Sequence, residues 1–491
     1  MDEIGDRHSP LVIGLDLGTT NCKAIAVSSS GRVYAQAYTG YSIYSPHPGW
    51  VIQRSEDLWQ AVVKVLDDLS NQIKQDQIAG LSLSGAMHSL LPVDGEGQPL
   101  ADAMTWADQR AAPQANKLRE QVDTQVLYQR TGCPLQPLYH IPKIRWWYEN
   151  GTQFVQNAAK FVALKDWVCY QLTGKWVADL GIGSASGLLN IRDFSWEDEA
   201  LSLAGTDPDH LPFLHNPTAI VGEIVSGSKS FCGVSVIAGS GDGGLANLGA
   251  GARSHGQFVI SAGTSGAVRL IVEQPWFDPQ ERTWCYALME DSWYAGGATN
   301  NAGLTLQWVR QQFYPDLSAD QGYWQIFQDA SIIPLGAGGL RLLPYFTGER
   351  NPHWNPSARG LLYGLRLEHT RAHIARAALE GIAFCLTDIW EVLPHTERDE
   401  EPVRLTGGLA SAPLFCQILA DVLNVPLVTV ATENASALGA AMLGHDALGN
   451  ASLEEMSQWV ALGTVFEPNP HQHTRYFEIH KEFQELYRLV N

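Results

Sequence analysis

The sequence predicts an α/β fold made of two duplicated domains that face each other, and three observations predict it. The chain has 491 residues, too many for one hydrophobic core. An apolar strand, a tight Gly-Thr-Thr turn and a second apolar strand at residues 11–27 are echoed half a chain later, at residues 257–272, around Gly-Thr-Ser. After each copy, strand-like and helix-like patterns alternate, as in layered α/β domains. A supersecondary unit repeated at that separation is the mark of duplication.

The elements follow in order. β-branched residues on both sides of each Gly-containing turn are a hairpin signal. Residues 55–75 carry Leu58, Val62, Val65 and Leu66 at helical spacing. The apolar run 78–84 reads as a strand that ends in the loop Gly85–Ser89. Residues from about 105 to 215 have no counterpart in the second half, and an unmatched insertion on a duplicated scaffold is where specificity is expected. The run VSVIAG leads into Gly239–Gly244, with a helix expected to start at LANLG. The boundary is expected in GAGARSH, giving domains at 11–252 and 256–491. Helices are expected at 370–394 and 412–424.

Composition narrows the function. The net charge is −20 and the pI about 5.1, so the chain repels nucleic acid and anionic membranes and neither is an expected partner. An anionic ligand must then be met by local devices: backbone NH groups, helix N-termini or a divalent cation. The seven cysteines are scattered with no CxxC pair, which argues against a disulfide framework or a zinc site and for a reducing cytoplasm. The first ten residues are polar, and no apolar run reaches the ~18 residues of a membrane span. A soluble, cytoplasmic enzyme is expected.

Six short segments carry candidate chemistry. Asp16-Leu17-Gly18-Thr19-Thr20, with Lys23 beyond, puts a carboxylate and two hydroxyls at a turn that lets backbone approach a ligand. Gly263-Thr264-Ser265-Gly266 repeats this logic. Phosphoryl transfer needs such donors around the β- and γ-phosphates and a carboxylate for Mg²⁺. Either turn alone reads equally as a plain hairpin, but the pair places one contribution in each half. Gly239-Ser240-Gly241-Asp242-Gly243-Gly244 delivers a carboxylate after a strand. No Gly-Lys-Ser or Gly-Lys-Thr follows it, so it is not a Walker A loop, and locally Asp242 also reads as a helix N-cap. Met87-His88 closes the strand 78–84. Trp106, Asp108 and Arg110 together suit a polyhydroxylated ligand, the ring packing on a C–H face and the charged groups binding hydroxyls or a carboxylate; Asp108 also reads as an N-cap. Gly407-Gly408-Leu409-Ala410-Ser411 is a strand-to-helix turn whose glycines let a flat group approach the backbone.

Taken together, Asp16–Thr20, Gly263–Ser265 and Gly407-Gly408 resemble the phosphate-1, phosphate-2 and adenosine motifs of the actin/hexokinase/Hsp70 superfamily. Residues 360–384, with Gly360, Leu362, Gly364, His373, Ala377 and Glu380, are similar to the signature of its FGGY carbohydrate kinase family, as is Lys143-Ile144-Arg145-Trp146. Within that family, Ala86–Ser89, Thr105–Arg110, Thr131–Pro137 and Gly348–Pro352 are most similar to segments of gluconate kinases. Xylulokinases are similar in the Met-His pair and the Trp-x-Asp-x-Arg run, so Arg110 does not discriminate between the two, but they carry Gln-Met-His-Gly and Trp-Asn-Asp.

The resemblance implies two ribonuclease-H-like α/β domains flanking a deep catalytic cleft. It implies transfer of phosphate from ATP, with Mg²⁺, to a small sugar or sugar acid, most simply D-gluconate to 6-phospho-D-gluconate, by a monomer or homodimer. Asp242 is then the catalytic base, and Asp16 and Asp242 meet the metal. Thr19, Thr20, Lys23, Gly263, Thr264 and Ser265 hold phosphates. Gly303, Gly407, Gly408, Ala410 and Ser411 surround the nucleoside. Met87, His88, Trp106, Asp108 and Arg110 meet the sugar, with Arg110 the expected partner of a substrate carboxylate. Lys143 and Glu349 are weaker candidates, since a surface Lys and a loop Glu are usually bland. The alternatives are a pentulose kinase such as xylulokinase and a non-catalytic ATP-binding switch of the actin or Hsp70 kind.

Overall fold

The computed structural model describes residues 9–395, 401–432 and 434–491. Two large sheets organise it. The first has six strands in the order Ile220–Glu223, Ser235–Gly241, Ile78–Gly85, Leu11–Leu17, Asn21–Ser28, Val33–Gly40. The second has seven, in the order Trp284–Met289, Ser292–Thr299, Gly266–Val272, Phe258–Ala262, Val403–Thr406, Leu427–Val430, Leu462–Phe466. Each sheet has at its centre one of the two predicted hairpins, Leu11–Leu17 against Asn21–Ser28 and Phe258–Ala262 against Gly266–Val272, both antiparallel. The first strand of each hairpin also pairs in parallel with a later strand, Ile78–Gly85 or Val403–Thr406. The duplication read from the sequence is therefore a duplication of sheet topology.

Register fixes what stands at the sheet edge. Leu17 lies beside Gly85, and Gly85 beside Gly241, so three parallel strands end level. Asp16, which pairs with Ser84 and Lys23, and Asp242 are thereby brought to one edge. In open α/β sheets this carboxyl edge is where ligands bind. The third strand reaches level only through a bulge between Ile237 and Ser240. There Gly239 has φ +69° and a Cβ would stand 1.6 Å from the Leu83 carbonyl oxygen, so only glycine fits.

Apolar patterning explains the layers. Helix Ser55–Ser70 buries Leu58, Val62, Val65, Leu66 and Leu69 against the first sheet, each burial stabilising the fold by about 1.5–3 kcal/mol. It stops five residues short of the predicted 75, with Asn71 as its C-cap. The helices expected at 370–394 and 412–424 span Arg371–Trp390 and Pro413–Leu423. The helix expected from LANLG starts at Asp242 instead, with Gly241 as its N-cap, so Asp242 is its first residue and not its cap.

Chain order and spatial order part company in two places. Helix Ala435–Ala447 crosses back from the second half to pack on the first sheet and on helix Asp242–Gly249. Small residues allow the approach: a Cβ on Gly14 would stand 1.9 Å from the Ala437 carbonyl oxygen. The insertion folds into short helices that also lean on the second sheet. Tyr139 and Tyr286 share a hydrogen bond of 2.8 Å, and the Trp293 indole donates to the Ile191 carbonyl. The seven cysteines are free. Among the described residues no helix is long and apolar enough to cross a membrane.

Candidate active site

Between the sheets lies a cavity of about 740 Å³ lined from both halves. Thr19 and Thr20 of the first hairpin turn and Thr264 and Ser265 of the second line it together, with Trp106, Glu349 and Arg350. The first turn is pinned from outside: the Gln53 amide donates to the Thr19 carbonyl at 2.8 Å, the Tyr41 hydroxyl donates to the Gly18 carbonyl, and the Trp106 indole reaches the Thr19 hydroxyl at 3.3 Å. Around the second turn the Gly303 and Leu304 NH groups donate to the Gly263 and Thr264 carbonyls at 2.8 and 3.0 Å. Gly407, at φ +91°, abuts Ala262 and Gly263 so closely that a Cβ would meet backbone at 2.6 Å. Gly263, Gly303 and Gly407 thus form one junction. Gly408 faces open space, with no heavy atom within 4 Å of its ideal Cβ, and Ser411 donates to its carbonyl at 2.7 Å. Ala410 is half-buried in the same turn.

Asp16 and Asp242 stand together at the shared sheet edge and are not among the residues that line the cavity. Burial raises the Asp16 carboxyl, against a 2.6 Å bond from the Ser84 hydroxyl and the nearby Lys23 charge. Burial first, and the Asp16 charge second, push Asp242 up to about 6, while Arg269 and the backbone NH groups of Gly243 and Met87 pull it down. Two neighbouring carboxylates, of which Asp16 raises Asp242, are a hard, all-oxygen donor set, and such a pair fits a divalent cation that would offset the repulsion. Arg269 carries no local signal in the sequence, because nothing marks a lone Arg on a strand as the neighbour of Asp242.

The segments expected to meet the sugar are held by buried polar bonds. His88 sits at φ +66° with Nδ1 2.8 Å from the Ala185 carbonyl. Burial keeps its imidazole well below the usual range, hence neutral. Met87 packs beside Asp242, its sulfur 3.4 Å from the Tyr294 hydroxyl. Lys143 is not the surface residue expected. It is fully buried, and its Nζ donates to the His88 carbonyl at 2.6 Å and the Thr105 carbonyl at 2.8 Å, tying together the loops that carry His88 and Trp106. Burial lowers it to about 7. Glu349 is equally far from bland. It is buried at the cavity wall, accepts from Thr299, Asn301 and the Arg350 NH, and is pushed by burial up to about 8.

Asp108 and Arg110 are not brought to the cavity. Their side chains are 1 % and 4 % exposed and pair with each other at 2.6 Å. The carboxylate also accepts from the Val51 NH at 2.9 Å. The guanidinium lies over the Trp50 ring at 3.6 Å. The helix that follows starts at Ala112 with Ala111 as its cap, so Asp108 is no N-cap either. The charge of each is already answered within the protein and neither residue lines the cavity, so the structure places Arg110 with Asp108 and not with the substrate carboxylate expected for it.

Paired polar turns on one interdomain cavity, carried by two sheets of the same topology, define a two-domain kinase scaffold of the actin/hexokinase type. Models of the FGGY family of carbohydrate kinases match the chain in both halves, the N-terminal domain over residues 11–249 and the C-terminal domain over 258–448. The chain belongs to the FGGY family of carbohydrate kinases. It is 33% identical to a gluconokinase of Bacillus licheniformis over 97% of this chain and 94% of that protein. Its structure resembles that of gluconate kinase from Lactobacillus acidophilus, with a TM-score of 0.91 at 30% identity and 98% of each chain covered. A ligand-bound xylulose kinase from Lactobacillus acidophilus matches with the same TM-score, identity and coverage.

Proposed function

We propose that this carbohydrate kinase transfers the γ-phosphoryl group of ATP to D-gluconate, giving ADP and 6-phospho-D-gluconate. The observation that carries the reading is the convergence of Thr19, Thr20, Thr264 and Ser265 on one cavity. Hydroxyl and NH donors from both sides suit a triphosphate, and the open face at Gly408 suits the base. The acceptor oxygen attacks the γ-phosphorus, the bond to the bridging β-oxygen breaks, and the acceptor proton passes to Asp242. A carboxyl held at about 6 is ionised at neutral pH yet basic enough to share that proton. Positioning and charge stabilisation supply much of the rest. Mg²⁺ arriving with the nucleotide would be held by Asp16 and Asp242 and would neutralise phosphate charge. Closure of the two halves over the cavity would exclude water, which otherwise competes as acceptor.

The likeness to gluconokinase sequences supports gluconate as acceptor. The equal structural likeness to a xylulose kinase favours a second reading, a pentulose kinase. An ADP-release assay over gluconate, xylulose, ribulose and glycerol separates them. The first reading expects gluconate to lead in kcat/KM; a ketopentose ahead by a wide margin would replace it.

A further inference from the structure

A gluconate pocket in a chain of net charge −20 needs a cation that no protein carboxylate already holds. Arg110 is held by Asp108. Arg119, on the cavity wall, is committed, donating to the Leu135 carbonyl at 2.9 Å, to the Gln136 side chain at 3.0 Å and to Asn116.

Arg269 differs. It stands on strand Gly266–Val272. Its Nη1 donates to the Ser261 hydroxyl at 3.0 Å. Its Nε is buried without a hydrogen-bond partner. Among the described residues its Nη2 makes no hydrogen bond and the guanidinium forms no ion pair. A guanidinium withdrawn from water with no anion beside it destabilises the fold unless a ligand completes it.

Distances place it beside the proposed base. A Cβ built on Gly243, the residue after Asp242, would stand 3.3 Å from the Arg269 Nε, 3.7 Å from its Nη2 and 2.8 Å from the Met87 methyl carbon. Glycine at 243 therefore lets the guanidinium lie against the first turn of the helix that carries Asp242. A Cβ on Gly244 would stand 3.1 Å from the Tyr294 ring, and the Tyr294 hydroxyl reaches the Met87 sulfur at 3.4 Å. Arg269, Met87 and Tyr294 thus cluster around that turn. Asp242, Met87 and Arg269 are each half-buried, so the cluster keeps surface that a ligand can reach. It lies below the second phosphate-type turn. Gly266, where the strand leaves that turn, is three residues from Arg269, roughly 10 Å of extended chain. Even the Nη1 reaches only to Ser261, which pairs with Ala267 and not with the turn.

Resting on the gluconate reading, we infer that Arg269 recognises the carboxylate of the acceptor and so sets the preference for a sugar acid over a neutral sugar. A polyol whose reacting hydroxyl meets Asp242 brings its remaining carbons against this cluster. Ser261 fixes one arm of the guanidinium, and Nε with Nη2, adjacent on its free edge, offers a carboxylate a fork of two donors in one orientation. A phosphate oxygen of the nucleotide has the same chemistry, and the test separates the two.

The test compares D-gluconate with D-gluconamide, its neutral isostere, in the unaltered enzyme and in Arg269→Met and Arg269→Lys. Both acceptors use Asp242, so any effect of Arg269 on the base cancels in the ratio of their kcat/KM values. The unaltered enzyme is expected to favour gluconate by roughly 10–100-fold, the range for a charge-assisted pair. Arg269→Met should collapse that ratio toward one, with the loss falling on KM for gluconate, and Arg269→Lys should restore part of it. A ratio retained in Arg269→Met overturns the inference, and so does a loss that falls on KM for ATP, which would assign the guanidinium to a phosphate. Should Arg269→Met fail to fold, the unaltered enzyme decides. Equal use of both acceptors overturns the inference, as does a structure with gluconate bound in which the carboxylate lies beyond hydrogen-bond distance of the Arg269 Nε and Nη2. A ketopentose outperforming gluconate in the unaltered enzyme sinks the underlying reading; a gluconate kinase whose preference ignores Arg269 sinks only this inference.

Discussion

At the scale of single residues, the site depends on who is already paired. Asp242 accepts backbone NH groups and faces Asp16, yet no side chain takes its proton-accepting role away. Asp242→Asn keeps the shape and removes the base. It is expected to lower kcat by about 10²–10⁴-fold while nucleotide binding, measured by calorimetry, is largely kept; loss of binding with unchanged turnover would contradict the assignment. Gly408 offers a complementary probe. Because nothing lies within 4 Å of its ideal Cβ, Gly408→Ala should leave the melting temperature unchanged and raise KM for ATP, whereas an unchanged KM would remove Gly408 from the nucleotide site. The sequence marked Asp16, Asp242 and the two Thr-bearing turns because the residue types and their turn geometry are local. It misplaced Asp108 and Arg110 because their mutual pairing is set by partners that local pattern does not reveal. Glu349 is held by Thr299 and Asn301, about fifty residues earlier.

Among elements, the terminal helix Pro470–Val490 is tied to helix Arg371–Trp390 by a charged cluster. His480 donates to Asp388 at 2.8 Å, with Glu391, His353 and Gln484 against them. Against the cost of burial, Asp388 and Glu391 raise His480 to about 9, and the nearby His353 with the bond from His480 draws Asp388 down to about 2. A histidine raised on folding stabilises fully below its unfolded value near 6.5, and that contribution fades as pH climbs through 9. The melting-temperature gap between the native chain and His480→Gln should therefore be widest below pH 6.5 and narrow toward pH 9, with each kcal/mol worth roughly 2–4 °C. A gap that is flat with pH would show His480 to be neutral. Periodicity located both helices, but it carries no information about which faces meet, so neither this tie nor the return of helix Ala435–Ala447 to the first sheet was legible.

The whole molecule reuses one sheet topology twice and puts its chemistry where the two copies face each other. That much was readable, because the repeated hairpin is a contiguous pattern and strand register then forces Asp16 and Asp242 to one edge. The cavity wall was not, because it is assembled from the insertion, the Glu349-Arg350 loop and the second hairpin turn together. The most direct test is a structure with gluconate and a non-hydrolysable ATP analogue. The account predicts the γ-phosphate between Thr19-Thr20 and Thr264-Ser265, with the acceptor oxygen in hydrogen-bond reach of Asp242. Phosphates bound to one hairpin alone, or an acceptor hydroxyl remote from Asp242, would contradict it.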